Sequence, residues 1–323
     1  MMNPTAFILG SYEISWALIL MAVAILVWFN FACTLYTGKE RKTIALWVMA
    51  PFAIVFCAFL SRSVYWYSHQ SQFEGYVSAL KSLDLSAFSL LGIVPGILMA
   101  AVLIRLVRLD KNLPSLLDSL SSPTAAGVAI LYLTDLYHPA CRGKMIIENP
   151  SFQILPFAYM NYNTQGEPEY RLATFFIGFI LMSLICVAST VFYLKNRKQK
   201  GETACFFLLF FSAAQFVLES TRYDAGYFPA NGFVSIIQIF SGVCILGVMI
   251  YETVLRIRKK QWRKVCFLIW VAQLLVMGGT GFLEYYVQRH GSMALILHPL
   301  MGVTCFLMAF FPVLMGRFKR PAK

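Results

Sequence analysis

Nine apolar stretches dominate this sequence, at roughly 14–36, 44–66, 86–107, 116–137, 172–194, 203–220, 232–255, 265–287 and 293–315. Each is close to the ~20 residues that an α-helix needs to cross a bilayer. In lipid the backbone must satisfy its own hydrogen bonds, so only helices and closed barrels span it. The stretches lack the short alternating pattern of barrel strands. The expected fold class is therefore all-α, a polytopic integral membrane protein with nine transmembrane helices. Composition agrees: of 323 residues, 59% are apolar and 13% charged. A soluble domain carries about 25% charged residues, so this chain cannot cover a water-facing globule, and its hydrophobicity excludes disorder.

The fourth stretch is the weakest, because it contains Ser121, Ser122, Pro123, Thr124 and Asp135. Charge placement supports it independently. Twenty of the 27 Lys and Arg fall in loops 37–43, 105–111, 195–200 and 256–264 and in the tail 316–323. The other seven are Arg62, Lys81, Arg142, Lys144, Arg171, Arg222 and Arg289. This alternation follows the positive-inside rule and would invert after residue 138 without the fourth span. It places the N-terminus outside and the C-terminus in the cytoplasm. The net charge of +12 then reads as topology and contact with anionic lipid, and no nucleic-acid partner is expected. Residues 1–12 hold no Lys or Arg, and the first apolar run is too long for a cleaved signal, so no leader is expected to be removed.

Seven of the eight Cys lie in apolar runs and none forms a C-x-x-C pair. They read as small buried hydrophobes, not disulfides or zinc ligands. His69, His138 and His290 lie apart, with His298 inside a span. No metal and no cofactor is expected.

Ionisable groups near spans are costly and mark function. Arg62, Asp135, Glu219, Arg222 and Asp224 fall at the outer ends of spans 2, 4 and 6, with His138 and Arg142 just beyond. If these ends converge, they form a charged cleft at head-group level, where an Arg fork suits phosphate. Glu219 and Arg222 would share a helix face, and Glu219 would orient Arg222, if the sixth span continues that far; a structural ion pair is the alternative. Arg62 fits a phosphate oxygen or lipid ester carbonyl, or snorkels to head groups. Tyr65, Trp66 and Tyr67 read as an aromatic belt. His138 is placed to serve as a base or is an ordinary loop residue. Arg142 and Lys144 either attract anionic lipid or are solvated. The loop 138–171, the longest, is expected to have work to do.

Four stretches carry a family resemblance. Trp16-Ala17 opens the first long helix. Leu60-Ser61-Arg62-Ser63-Val64-Tyr65 resembles a Gly-x-Arg-x-x-Tyr motif. Leu91-Gly92-Ile93-Val94-Pro95-Gly96 is followed by Leu116-Leu117-Asp118 and a polar helix running to Gly143-Lys144. Glu219-Ser220-Thr221-Arg222 resembles a Glu-x-x-Arg stretch, with Gly232 and Gln238 in the helix after it. In this order, over about residues 12–257, the chain resembles the prolipoprotein diacylglyceryl transferases. It departs from them at Ser89-Leu90-Leu91-Gly92, where the family has a His-Gly-Gly, and at Tyr132, where it has an Arg. A third departure is Pro168-Glu169-Tyr170-Arg171-Leu172, in place of the family's His-Pro-Thr-Gln-Leu-Tyr-Glu.

The resemblance implies a seven-helix transferase-like domain over 1–264, with an extra hairpin and basic tail over 265–323. It implies transfer of a diacylglyceryl group from phosphatidylglycerol to the cysteine thiol of a lipoprotein precursor, forming a thioether and releasing glycerol phosphate. Arg222, Glu219 and His138 would then be catalytic, and Arg62, Arg142 and Tyr65 would bind lipid phosphate. The alternatives are a catalytically degenerate relative that binds phospholipid or precursor and, more remotely, a small-solute transporter.

Overall fold

The computed structural model describes residues 5–10, 12–37, 43–81, 88–137, 143–162, 165–195, 200–227, 232–260, 264–290 and 293–317. Among these described residues ten α-helices run in order: α1 Trp16–Thr37, α2 Ile44–Ser68, α3 Tyr76–Lys81, α4 Ile93–Leu106, α5 Leu113–Tyr132, α6 Thr174–Lys195, α7 Glu202–Thr221, α8 Ile236–Arg258, α9 Lys264–Arg289 and α10 Ala294–Arg317. Eight are long and apolar enough to cross a membrane, counting α5 with its 3-10 extension to Tyr137. The remaining apolar stretch, the third, holds the shorter helical segment Leu90–Leu106. The protein is thus an all-α polytopic membrane protein, and helix occupies each of the nine apolar stretches. Two antiparallel hairpins lie outside these helices. One pairs β1 (Thr5–Leu9) with β2 (Tyr12–Ser15), and the other pairs β3 (Ala158–Tyr162) with β4 (Pro168–Leu172).

The chain divides into two compact units. The first is residues 1–204 with 222–224, and the second is 205–221 with 225–323.

In the first unit α5 is the central element, packed against α1, α4 and α6. That explains its weak hydropathy: its hydroxyls face protein rather than lipid, and most of its length is buried. Ser121 and Thr124 donate to the carbonyls of Leu117 and Leu120, at 2.8 and 2.7 Å. Ser122 meets Ser189 of α6 at 3.0 Å. Back-bonding of this kind satisfies a hydroxyl without a second helix. Buried Asp118 accepts from the backbone N–H groups of Gly201 and Ala204, at 2.7 and 3.0 Å. A carboxylate borrowed from α5 thereby satisfies donors that the first turn of α7 leaves open.

α4 lies against α2 through Gly92 and Gly96, four residues apart. A Cβ on Gly92 would sit 2.3 Å from the Ser61 backbone, and one on Gly96 would sit 2.7 Å from Cys57. Lipid supplies no hydrophobic drive between helices, so close backbone approach through small residues does this work. Gly92→Ala and Gly96→Ala are each expected to lower the thermal midpoint in detergent, at a cost of about 1–3 kcal/mol from overpacking. Gly278→Ala, with open space around the glycine, should leave the midpoint unchanged.

In the second unit α9 and α10 share a core with α7 and α8. Leu209, Phe216, Ile245, Val248, Met301 and Met308 are buried together, with Val276 and Met277 against them. α8 opens on a capping box: Ser235 Oγ accepts from Gln238 N at 3.1 Å, and Gln238 Oε1 accepts from Ser235 N at 2.8 Å. This satisfies two otherwise open donors.

Candidate active site

Arg222 follows directly on α7, which ends at Thr221. The helix thus ends one residue short of Arg222, and two aspartates of the first unit pair with that side chain. Its Nε and Nη2 donate to the two oxygens of Asp224, both at 3.0 Å. Its Nη1 donates to Asp135 Oδ2 at 3.2 Å. Asp135 sits in the 3-10 turn Leu133–Tyr137 that continues α5. The bidentate fork fixes the guanidinium plane as well as its charge. Burial alone would raise the Asp224 carboxyl, but the Arg222 charge and its hydrogen bonds outweigh that and hold it below its ordinary value.

A depressed carboxylate stabilises the fold fully above its unfolded value, near 3.9, and that contribution is lost as pH falls through the lower folded value. Thermal midpoints should therefore fall as pH drops below about 3.9. The fall should be shallower in Asp224→Asn, which has no carboxylate to protonate.

Two further elements hold the Arg222 segment. Gly143 forms a backbone bridge with Arg222, and a Cβ on Gly143 would lie 2.2 Å from the Leu172 carbonyl. Only glycine fits there. Arg171 reaches Gly143 O at 3.3 Å and stacks over the Tyr223 ring at 5.5 Å while pairing with Glu169. On the other side His69 Nε2 lies 2.9 Å from the Asp224 carbonyl, while its Nδ1 lies 2.9 Å from Ser68 Oγ and 3.1 Å from the Tyr65 carbonyl.

Arg62 is buried in the same unit. Its Nε donates to Ala79 O at 2.7 Å. Its guanidinium lies 5.9, 5.2 and 5.6 Å from the rings of Tyr65, Phe73 and Phe88. Aromatic faces stabilise a desolvated cation. Tyr65 also stacks on His69 at 4.2 Å, so Arg62, Tyr65, His69, Asp224 and Arg222 form one connected series. Glu219 is buried in the last turn of α7, in the second unit. There Tyr227 is pushed up to about 12 by burial, and further by the charges of Glu284 and Glu219. His138 and Arg142 lie outside the described residues.

The first unit also contains a cavity of about 490 Å³, within the range of small-molecule and cofactor pockets, lined mainly by apolar side chains of α1, α2, α4 and α5. Its lining runs along α5 from Thr124 to Leu131 and on to Asp135 in the turn beyond. The eleven steps from Thr124 to Asp135, at about 1.5 Å each, make a lining about 16 Å long. Ser15, Thr134, Asp135 and Tyr137 form one end, while Ala24, Trp28, Ile97 and Val128 line deeper positions. Asp135 therefore belongs both to the cavity and to the Arg222 ion pairs. Among the described residues, no three His, Cys, Asp or Glu side chains gather as a metal site.

The sequence singled out Arg222, Asp135 and Asp224 as outer charges but not that the two aspartates both grip Arg222, and it offered His69 only as one of the dispersed histidines, not as a part of the site. A histidine just past a span carries no periodic signal; only its spacing, four residues after Tyr65 at the end of α2, hints at their stacking.

No curated protein matches this sequence. Residues 4–254, most of the chain, match prolipoprotein diacylglyceryl transferase. The match ends just before α9, within the last two turns of α8, and it takes in Arg62, Gly143, Arg222 and every cavity-lining position. Through that match the chain belongs to the prolipoprotein diacylglyceryl transferase family.

Proposed function

We propose that the protein transfers a diacylglyceryl group from phosphatidylglycerol to the cysteine thiol of a lipobox peptide, at the outer face of a bacterial inner membrane. The observation that carries this reading is the double placement of Asp135. The residue lines an apolar cavity, and its carboxylate grips the Arg222 guanidinium. An anchored cation beside an apolar cavity matches the polarity of a phospholipid, with its phosphate at Arg222 and acyl carbons below. In transfer, the glycerol C–O bond to phosphate breaks as a thioether C–S bond forms. Arg222 would stabilise the departing phosphate, the role of a preorganised cation where charge develops. A phosphate that displaces Asp135 from Arg222 would free a carboxylate to take the thiol proton. His138, three residues on, is the sequence's own candidate base, and Arg142 and Arg62 are further cations for the head group.

One observation favours a second reading, a relative that binds lipid without turnover. Arg222 is already neutralised by two carboxylates, which a phosphate must outcompete. Complementation distinguishes the two. In bacteria depleted of their own transferase, expression of this chain is expected to restore growth and diacylglyceryl modification of precursors. Correct insertion with no modification would leave the binding reading.

A further inference from the structure

The segment 146–162, between α5 and α6, has its own small core. Ile147, Ala158 and Leu172 are buried together, and Ile177 from the first turn of α6 packs against them. Beyond that core the same segment leaves a run of large apolar side chains uncovered. Ile154 is 65% exposed, Leu155 48% and Phe157 47%, with Phe152 and Met160 beside them. Contiguous exposed apolar surface in a folded protein marks a contact.

The backbone says at what height this surface sits. Ala173 N donates to Phe157 O at 2.8 Å, so Phe157 is level with the residue just before α6. Phe157 N and Ala158 N both donate to Ile154 O, at 3.0 and 3.1 Å, which keeps Ile154 within the same tight turn. α6 has 22 residues, about 33 Å of helix, against a hydrocarbon core of about 30 Å. The helix has almost no length to spare, so its first residue lies at the hydrocarbon boundary, and the 152–157 turn lies there with it. Exposed aromatic and aliphatic side chains at that depth are what the interface accepts.

We infer that the turn 152–157 is a membrane-interface anchor, with Ile154, Leu155 and Phe157 seated in the acyl boundary of the leaflet on the Arg222 side. Its ligand is bulk phospholipid, whatever the head group. The anchor fixes the height of the β3–β4 hairpin, and through the Gly143 bridge the height of Arg222. The inference rests on the membrane-spanning fold and not on the transfer reaction.

The test uses the full-length protein in vesicles containing phosphatidylcholine or phosphatidylglycerol with a diazirine in the acyl chain. Adducts are mapped by mass spectrometry after illumination. Peptides covering 150–160 are expected to label with both lipids, at a yield comparable to the exposed α6 residues Leu184 and Val187. Ile154→Asn with Leu155→Asn should cut that yield on the order of tenfold while α6 labels as before. No adducts on 150–160 beside normal labelling of α6 would overturn the inference. So would adducts from phosphatidylglycerol alone, which would place the turn on a substrate path. If the double variant fails to fold, labelling of the unaltered protein decides by itself.

Discussion

Arg222→Ala is expected to weaken phosphatidylglycerol binding in nanodiscs roughly 10- to 150-fold, measured against a neutral-lipid background. The estimate takes about 1.5–3 kcal/mol for one charge-assisted contact in a partly dry site, converted at tenfold per ~1.4 kcal/mol. Arg222→Lys should recover only part of the loss, because an ammonium lacks the planar fork that Asp224 engages through two oxygens. Asp135→Asn separates binding from chemistry. If Asp135 both competes with phosphate and takes the thiol proton, the Asn variant should bind lipid at least as tightly as the unaltered protein and lose transfer. Unchanged binding in a folded Arg222→Ala protein would reduce the guanidinium to a structural tie between Asp135 and Asp224.

Gly143→Val is the second large effect, and it arises from geometry alone. The closest contact to a new Cβ is a backbone carbonyl, Leu172 O at 2.2 Å, which cannot rotate away as a side chain would. The loop must separate from β4 or from Arg222, breaking the Gly143–Arg222 bridge and the neighbouring Leu172 N to Met145 O bond. The expected cost is about 1–3 kcal/mol or more, read as a lower thermal midpoint, with lipid binding reduced as in Arg222→Ala. Gly75→Ala, where a Cβ meets nothing, should behave as the unaltered protein does. A Gly143→Val protein with normal stability and binding would show that the bridge does not set the position of Arg222.

The spans were legible because a membrane imposes one rule on every residue that crosses it: the length and apolarity of a crossing helix are fixed by the bilayer, not by neighbours. Hydropathy undervalued α5 because its serines and threonines face other helices, and loop charge recovered it. The hairpin β3–β4 was hidden inside what reads as a long Pro- and Tyr-rich loop. Its register, with Tyr159 opposite Arg171 and Asn161 opposite Glu169 among its pairs, defines it, and cross-strand partners cannot be read from one strand. Likewise nothing in the local sequence says that Asp118 satisfies the start of α7 or that His69 reaches Asp224, since both link positions 80 or more residues apart. Gly143 stood out in sequence only through family likeness; the reason it must be glycine is the 2.2 Å approach to Leu172, a tertiary fact. The hairpin α9–α10 lies beyond the family match yet shares its core with α7 and α8. Apolar periodicity reports that a helix has a buried face, not which helix covers it.

The most direct measurement is transfer by the purified full-length protein in phosphatidylglycerol vesicles, with a lipobox peptide as acceptor. Mass spectrometry follows the diacylglyceryl adduct on the cysteine, and a coupled assay follows glycerol phosphate. The account predicts a thioether product in one-to-one ratio with released glycerol phosphate, absent with phosphatidylcholine, absent when the acceptor cysteine is serine, and lost in Arg222→Ala. A folded protein that binds phosphatidylglycerol through Arg222 and yields neither product would contradict it.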